Sequence, residues 1–169
     1  MSWSGTIEAM LAEPLSIALH AVHLAGGNPG RTIAVLGSGP IGLSVILAAK
    51  AAGVPEVLAT DKVDARAAAA LRAGAAWSGN PDRTDVVKDI KDHNPLGVDA
   101  VFECSGDQAA VNQAVEIVKP GGRIFQIGIP MVERIDYPAA KMRRREIAVR
   151  HVRRQNRCLE RALLLIEKK

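Results

Sequence analysis

Gly37, Gly39 and Gly42 stand as G-x-G-x-x-G, and Asp61 follows Gly42 by 19 residues. Residues of these types at this spacing make a cradle for a dinucleotide. Gly37 permits a tight turn, Gly39 lets a pyrophosphate approach the backbone, and Gly42 lets the following helix pack close against the preceding strand. Pro40 suits the first turn of that helix, where no backbone donor is needed. The free N–H groups and the dipole of the same helix start attract an anion. Asp61 lies where a carboxylate takes both hydroxyls of an adenine ribose and repels a 2′-phosphate, a repulsion that Lys62 and Arg66 soften. The pattern therefore predicts NAD in preference to NADP. The plain alternative is a strand-to-helix turn with Asp61 capping a helix near Ala65, but one such turn does not need three glycines at this spacing.

Elements that can hold this cradle flank it directly. Thr32–Leu36 is a short apolar run rich in β-branched residues, as in a parallel strand buried on both faces. A helix follows the glycines, and Val57–Thr60 completes a βαβ unit ending at Asp61. Further strands are predicted at Ala75–Ser78, Val98–Glu103, Arg123–Ile129 and Ile147–Val152. Helices are predicted within Gly5–Ala25, with Pro14 near its first turn, at Asp64–Arg72, at Asp107–Val118 and at Cys158–Glu167, while Asn80–Asn94 reads as a polar turn and then an amphipathic helix on Val86, Val87 and Ile90. Pro120-Gly121-Gly122 reads as the turn into the fifth strand. Strands alternating with helices predict an α/β fold: a doubly wound (Rossmann) parallel sheet of about six strands, ordered 3-2-1-4-5-6, with helices on both faces.

That order places four loops together above the strands' carboxyl ends: 37–42, 61–64, 104–106 and 128–130. In Cys104-Ser105-Gly106 small side chains leave room for a flat ring, although capping by Ser105 or Asp107 explains them as well. His20 and His23 share a helix face, but two imidazoles without a third ligand do not make a zinc site.

Composition sets the outer limits. The 169 residues are 48% hydrophobic but only 3% aromatic, enough for one core built from Ala, Val, Leu and Ile. A single domain over residues 1–169 is expected. There is no apolar run of about 18 residues and no basic-apolar leader, so a cytoplasmic protein is expected, with Cys104 and Cys158 as free thiols. Net charge is +4, but the bases gather late: residues 141–169 hold eleven Lys/Arg against three Asp/Glu. No aromatic side chain is interleaved among those arginines, which argues for a solvated edge and against nucleic-acid binding.

Four ordered stretches carry a resemblance: E-P-L-S-I-A-L-H-A at 13–21, V-L-G-S-G-P-I-G-L at 35–43, V-F-E-C-S-G at 101–106 and K-P-G-G-R-I at 119–124. Together they resemble the coenzyme domain of the zinc-dependent medium-chain dehydrogenases, nearest the sorbitol (polyol) branch. The resemblance implies oxidation of a secondary alcohol to a ketone by hydride transfer to NAD, with zinc polarising the alcohol oxygen. It implies pyrophosphate contacts at Gly37, Gly39, Pro40, Ile41 and Gly42, and adenosine contacts at Asp61, Lys62 and Arg66. It implies a nicotinamide lining from Cys104, Ser105, Gly106, Ile127, Gly128 and Ile129, with Arg153 beside cofactor and substrate. Glu13 matches a glutamate facing the zinc site, and equally reads as an acid at a helix start.

The zinc ligands of that family belong to a separate catalytic domain, which this sequence does not contain. There is no G-H-E signature and no Cys-x₂-Cys series. The expectation is a cofactor-binding domain without its own catalytic zinc, its partners being a dinucleotide and, in a longer parent, a polyol or other secondary alcohol. The resemblance also implies a homo-oligomer joined through the sixth-strand edge. A stand-alone nucleotide-binding or sensing module is the competing reading. An S-adenosylmethionine site is a third, disfavoured by P-I-G and by the position of Asp61.

Overall fold

The computed structural model describes residues 6–167. Six strands, β1 (Thr32–Leu36), β2 (Glu56–Thr60), β3 (Trp77–Gly79), β4 (Val98–Glu103), β5 (Val118–Gln126) and β6 (Ala148–His151), form one sheet. Its order is β3-β2-β1-β4-β5-β6, and every pairing is parallel. Among the described residues seven helices accompany it: α1 (Thr6–Leu24), α2 (Pro40–Ala51), α3 (Asp64–Arg72), α4 (Val86–His93), α5 (Gln108–Ile117), α6 (Ala139–Arg144) and α7 (Leu159–Glu167).

Strand side chains alternate faces, so each strand divides its apolar residues between two layers. Ile33, Val35, Val57, Ala59 and Phe102 meet Ile17, Ala18, Ala21, Val45, Ile46, Ala49 and Ala162 on the face covered by α1, α2 and α7. Ala34, Leu36, Leu58, Val101 and Ile124 meet Ile90, Ala114, Val115 and Ile117 on the face covered by α4 and α5. Small alanines let these helices approach the sheet closely. The two phenylalanines are cross-strand partners, Phe102 with Phe125, their rings stacked at 5.0 Å.

Local chemistry explains where elements start and stop. Pro40 stands in the first turn of α2, as its missing N–H requires. Asp85 caps α4 by accepting from Lys88 N at 3.1 Å, and Asp107 caps α5 by accepting from Ala109 N at 3.0 Å. At the foot of the sheet the Asp99 carboxylate accepts from Arg31 N at 2.7 Å and Thr32 N at 3.0 Å and pairs with Lys119. Burial works against that charge, yet these partners hold the carboxyl below its ordinary range.

Several sequence expectations are corrected. Pro14 lies in the interior of α1, not near its first turn; Gly5 lies outside the described residues. The third strand sits two residues later at its start than predicted, because Ala76 N already bonds Val57 O at 2.8 Å as the chain arrives. Pro120-Gly121-Gly122 is not a turn before the fifth strand but a bulge inside it: Val98 pairs with Val118, and Ala100 pairs with Arg123. The same strand ends at Gln126, because Ile127 N and Gly128 N both turn to the Glu103 carbonyl, at 2.8 and 2.9 Å. Helix α6 was not anticipated; its six residues carry three bases and bury none of their side chains, leaving no apolar period to read.

Candidate dinucleotide site

The sheet order brings the predicted loops together. Gly37 N bonds Thr60 O at 2.9 Å, Cys104 N bonds Leu36 O at 2.8 Å and Asp61 N bonds Gly79 O at 3.1 Å, so the ends of β1 to β4 are stitched side by side. Gly37 has φ +93° and lies against Ser105, whose N would be 2.9 Å from an added Cβ. A Cβ on Gly42 would overlap the Gly37 carbonyl oxygen, whereas one on Gly39 would meet nothing within 4 Å. Gly42 therefore serves helix packing, and Gly39 faces open space where a ligand backbone can approach. Behind them, Gly106 (φ +75°) is packed against the Ile129 carbonyl, and Gly128 against Gly106.

Asp61 is buried, only 8% exposed. One carboxylate oxygen accepts from Ser38 N at 2.8 Å and the other from Val63 N at 2.8 Å. It thus fixes the glycine turn to the β2 end and does not cap α3, whose N-cap, Val63, makes no side-chain cap bond. Beside it the Lys62 ammonium bonds Asp107 Oδ2 at 2.7 Å. That contact raises the Lys62 pKa and lowers that of Asp107.

Two clefts open on either side of the glycine turn. The first, about 370 Å³, is lined by Gly37, Gly39, Pro40, Asp61, Lys62, Arg66, Cys104, Ser105 and Asp107, among others. The second, about 710 Å³, is lined by Glu13, Ile41, Cys104, Ile127, Gly128, Ile129, Arg153 and Arg154, among others. Cys104 belongs to both. Burial and then the Glu103 charge push its thiol well above the ordinary range. Of the residues expected at the site, Gly42 and Gly106 lie behind the cleft walls and the others are distributed between the two.

Glu103 and Gln126 are the residues that sequence reasoning missed. Glu103 is fully buried at the end of β4. Its Oε1 accepts from Ser105 N at 2.7 Å, Ser105 Oγ at 2.5 Å and Gly106 N at 2.9 Å, and its Oε2 accepts from Gln126. Burial raises its pKa, while these donors stabilise the charge. It holds the 104–106 loop in shape. An acid directly after the apolar run Ala100-Val101-Phe102 of a strand is the signal that was available.

A dinucleotide fits this arrangement: an open glycine backbone, a helix start and a buried carboxylate adjoin one cleft, and a second cleft continues past Cys104. Zinc does not. Among the described residues no group of three or more His, Cys, Asp or Glu is placed to hold a metal ion.

Comparison with known proteins agrees with the geometry. Sorbitol dehydrogenase of Bacillus subtilis (strain 168) is 39% identical over 124 residues, which are 73% of this chain and 35% of that protein. A protein of Sinorhizobium meliloti 1021 assigned as a zinc-binding dehydrogenase and solved with NADP superposes with a TM-score of 0.89 at 30% identity, covering 97% of this chain and 49% of that one. L-idonate 5-dehydrogenase of Escherichia coli K-12 gives 0.89 at 27% identity, covering 99% and 48%. The chain thus spans about a third to a half of the length of these relatives. The pattern of the family described as zinc-binding dehydrogenase matches residues 40–168, and with the Rossmann sheet and glycine turn in place, the chain belongs to the zinc-binding dehydrogenase family.

Proposed function

We propose that residues 1–169 form the NAD-binding domain of a sorbitol-type (polyol) dehydrogenase. The observation that carries this is the pair of clefts either side of the glycine turn, one ending at Asp61 and the other at Arg153 and Glu13. The first would take the adenosine end, with the pyrophosphate over Gly39 and the start of α2, and the second the nicotinamide, against Ile127, Gly128 and Ile129. Bound there, the nicotinamide supplies the hydride acceptor for oxidation of a secondary alcohol. This chain's residues orient the dinucleotide and shield the ring from water. The described residues supply no zinc donor set, so no step at the alcohol oxygen is assigned to them. The similarity to dehydrogenases supports this reading over a free-standing nucleotide sensor.

Calorimetric titration with both cofactors tests the assignment. NAD is expected to bind more tightly than NADP; equal or tighter NADP binding contradicts the role given to Asp61.

Two further parts of the reading follow. The free cysteines Cys104 and Cys158 suit a cytoplasmic protein; among the described residues no helix is long and apolar enough to cross a membrane. Strand β6 is an edge with exposed Ala148, Arg150 and His151, and it pairs with its copy in a second chain. Sedimentation should show a dimer, and a strict monomer at high concentration would remove this part.

A further inference from the structure

We propose that Asp107 sets the cofactor preference of this site by holding the Lys62 ammonium away from a ribose 2′-phosphate. The proposal rests on the dinucleotide reading above and concerns a residue that neither the glycine motif nor Asp61 brings in.

Lys62 follows the ribose-facing Asp61, at the mouth of the first cleft. Its ammonium is a compact point charge of the kind that binds phosphate. It does not stand free: it bonds Asp107 Oδ2 at 2.7 Å, joining the loop after β2 to the N-cap of α5 across the cleft both residues line. The neighbouring cation Arg83 is also occupied, by Asp64 at 2.5 Å. Asn80 fixes this rim by donating to Lys62 O at 2.9 Å and to Asp64 Oδ1 at 2.6 Å. Arg66, in the same cleft, makes no ion pair among the described residues. A 2′-phosphate arriving beside Asp61 thus meets one unpaired base, while the nearest lysine is neutralised by a carboxylate that itself repels the phosphate.

The pair is open to solvent, with side chains 52% and 41% exposed, so it is weak enough to be exchanged for a better anion. Asp107 has a second task, capping α5 through Oδ1. Asparagine keeps that cap and drops the charge.

The test is a double-mutant cycle on the 169-residue chain, reading the ratio of NADP to NAD affinity by calorimetry in the wild type, Asp107→Asn, Lys62→Gln and the double variant. Asp107→Asn is expected to raise the ratio about fivefold, the upper range of an exposed ion pair, and Lys62→Gln to abolish that gain in the double variant. An unchanged ratio in Asp107→Asn overturns the proposal. A gain that survives Lys62→Gln also overturns it, because Asp107 would then act by its own charge alone. Asp107→Ser, which also caps the helix, serves if the asparagine variant does not fold. Wild-type chain that binds NAD but shows no shift in the variants refutes only this inference; wild-type chain that binds neither dinucleotide refutes the site reading with it.

Discussion

The buried carboxylate of Glu103 shows how much a single residue can organise. Three donors from the Ser105–Gly106 turn and one from Gln126 converge on it, and among the described residues no cation pairs with it. Glu103→Gln sets an amide donor against these donors, which should cost about 1–3 kcal/mol; chemical denaturation measures it. The pH dependence has a definite sign. Because burial raises its folded pKa, the contribution of Glu103 to stability is fully present below the ordinary carboxylate value and declines as pH rises through the raised one. The difference in stability between wild type and Glu103→Gln should therefore shrink as pH rises across that window, and a difference that grows would contradict the assignment. The glycines separate fold from binding at the same scale. Gly39→Ala should cost about 1 kcal/mol or less, since its φ of −71° suits any residue, yet it should weaken NAD binding tenfold or more by filling the space above the turn. Gly42→Ala should cost about 1–3 kcal/mol through overlap with the Gly37 carbonyl. Thermal melts and titration of the two variants distinguish the effects.

Whole elements were legible in the sequence where their residues obeyed one period. Strands β1 and β4 and helix α3 occupy their expected spans, because unbroken apolar runs or an alanine-rich stretch bounded by glycine leave no second choice. Strand β5 was misjudged because proline and two glycines signal a turn locally, while the pairing of Val118 with Val98 is a long-range fact. Helix α1 starts well before Pro14 because its apolar face on α2 and α7 outweighs one absent hydrogen bond. The basic tail separates into different tasks: Arg145 donates to Val115 O at 2.7 Å and also to Val118 O, and Lys141 pairs with Glu116. Only cooperation between β5, α5 and α6 reveals this, and charge counting cannot. Packing at this scale predicts a cost for Phe102→Ala. The ring is fully buried and stacked on Phe125, so the loss should be about 3–5 kcal/mol in an unfolding titration.

For the whole molecule, the glycine motif marked the strand-to-helix turn, and Gly37, Gly39 and Asp61 line one cleft beside it. The division into two clefts sharing Cys104 was not readable, because it depends on how β4 and β5 end relative to each other. Strand order carries a further consequence, for synthesis of the chain. Strand β1 lies between β2 and β4, and β4 begins at Val98, 62 residues after β1 ends at Leu36. Until that stretch has left the ribosome, one side of the central strand stays open, its unpaired N–H and C=O groups able to pair with any similar strand nearby. Late closure of a parallel pair is the step at which such proteins are exposed to aggregation. Nascent chains arrested at Asn94 should therefore bind holdase chaperones, whereas chains arrested beyond β5, with both flanks of β1 filled, should be released.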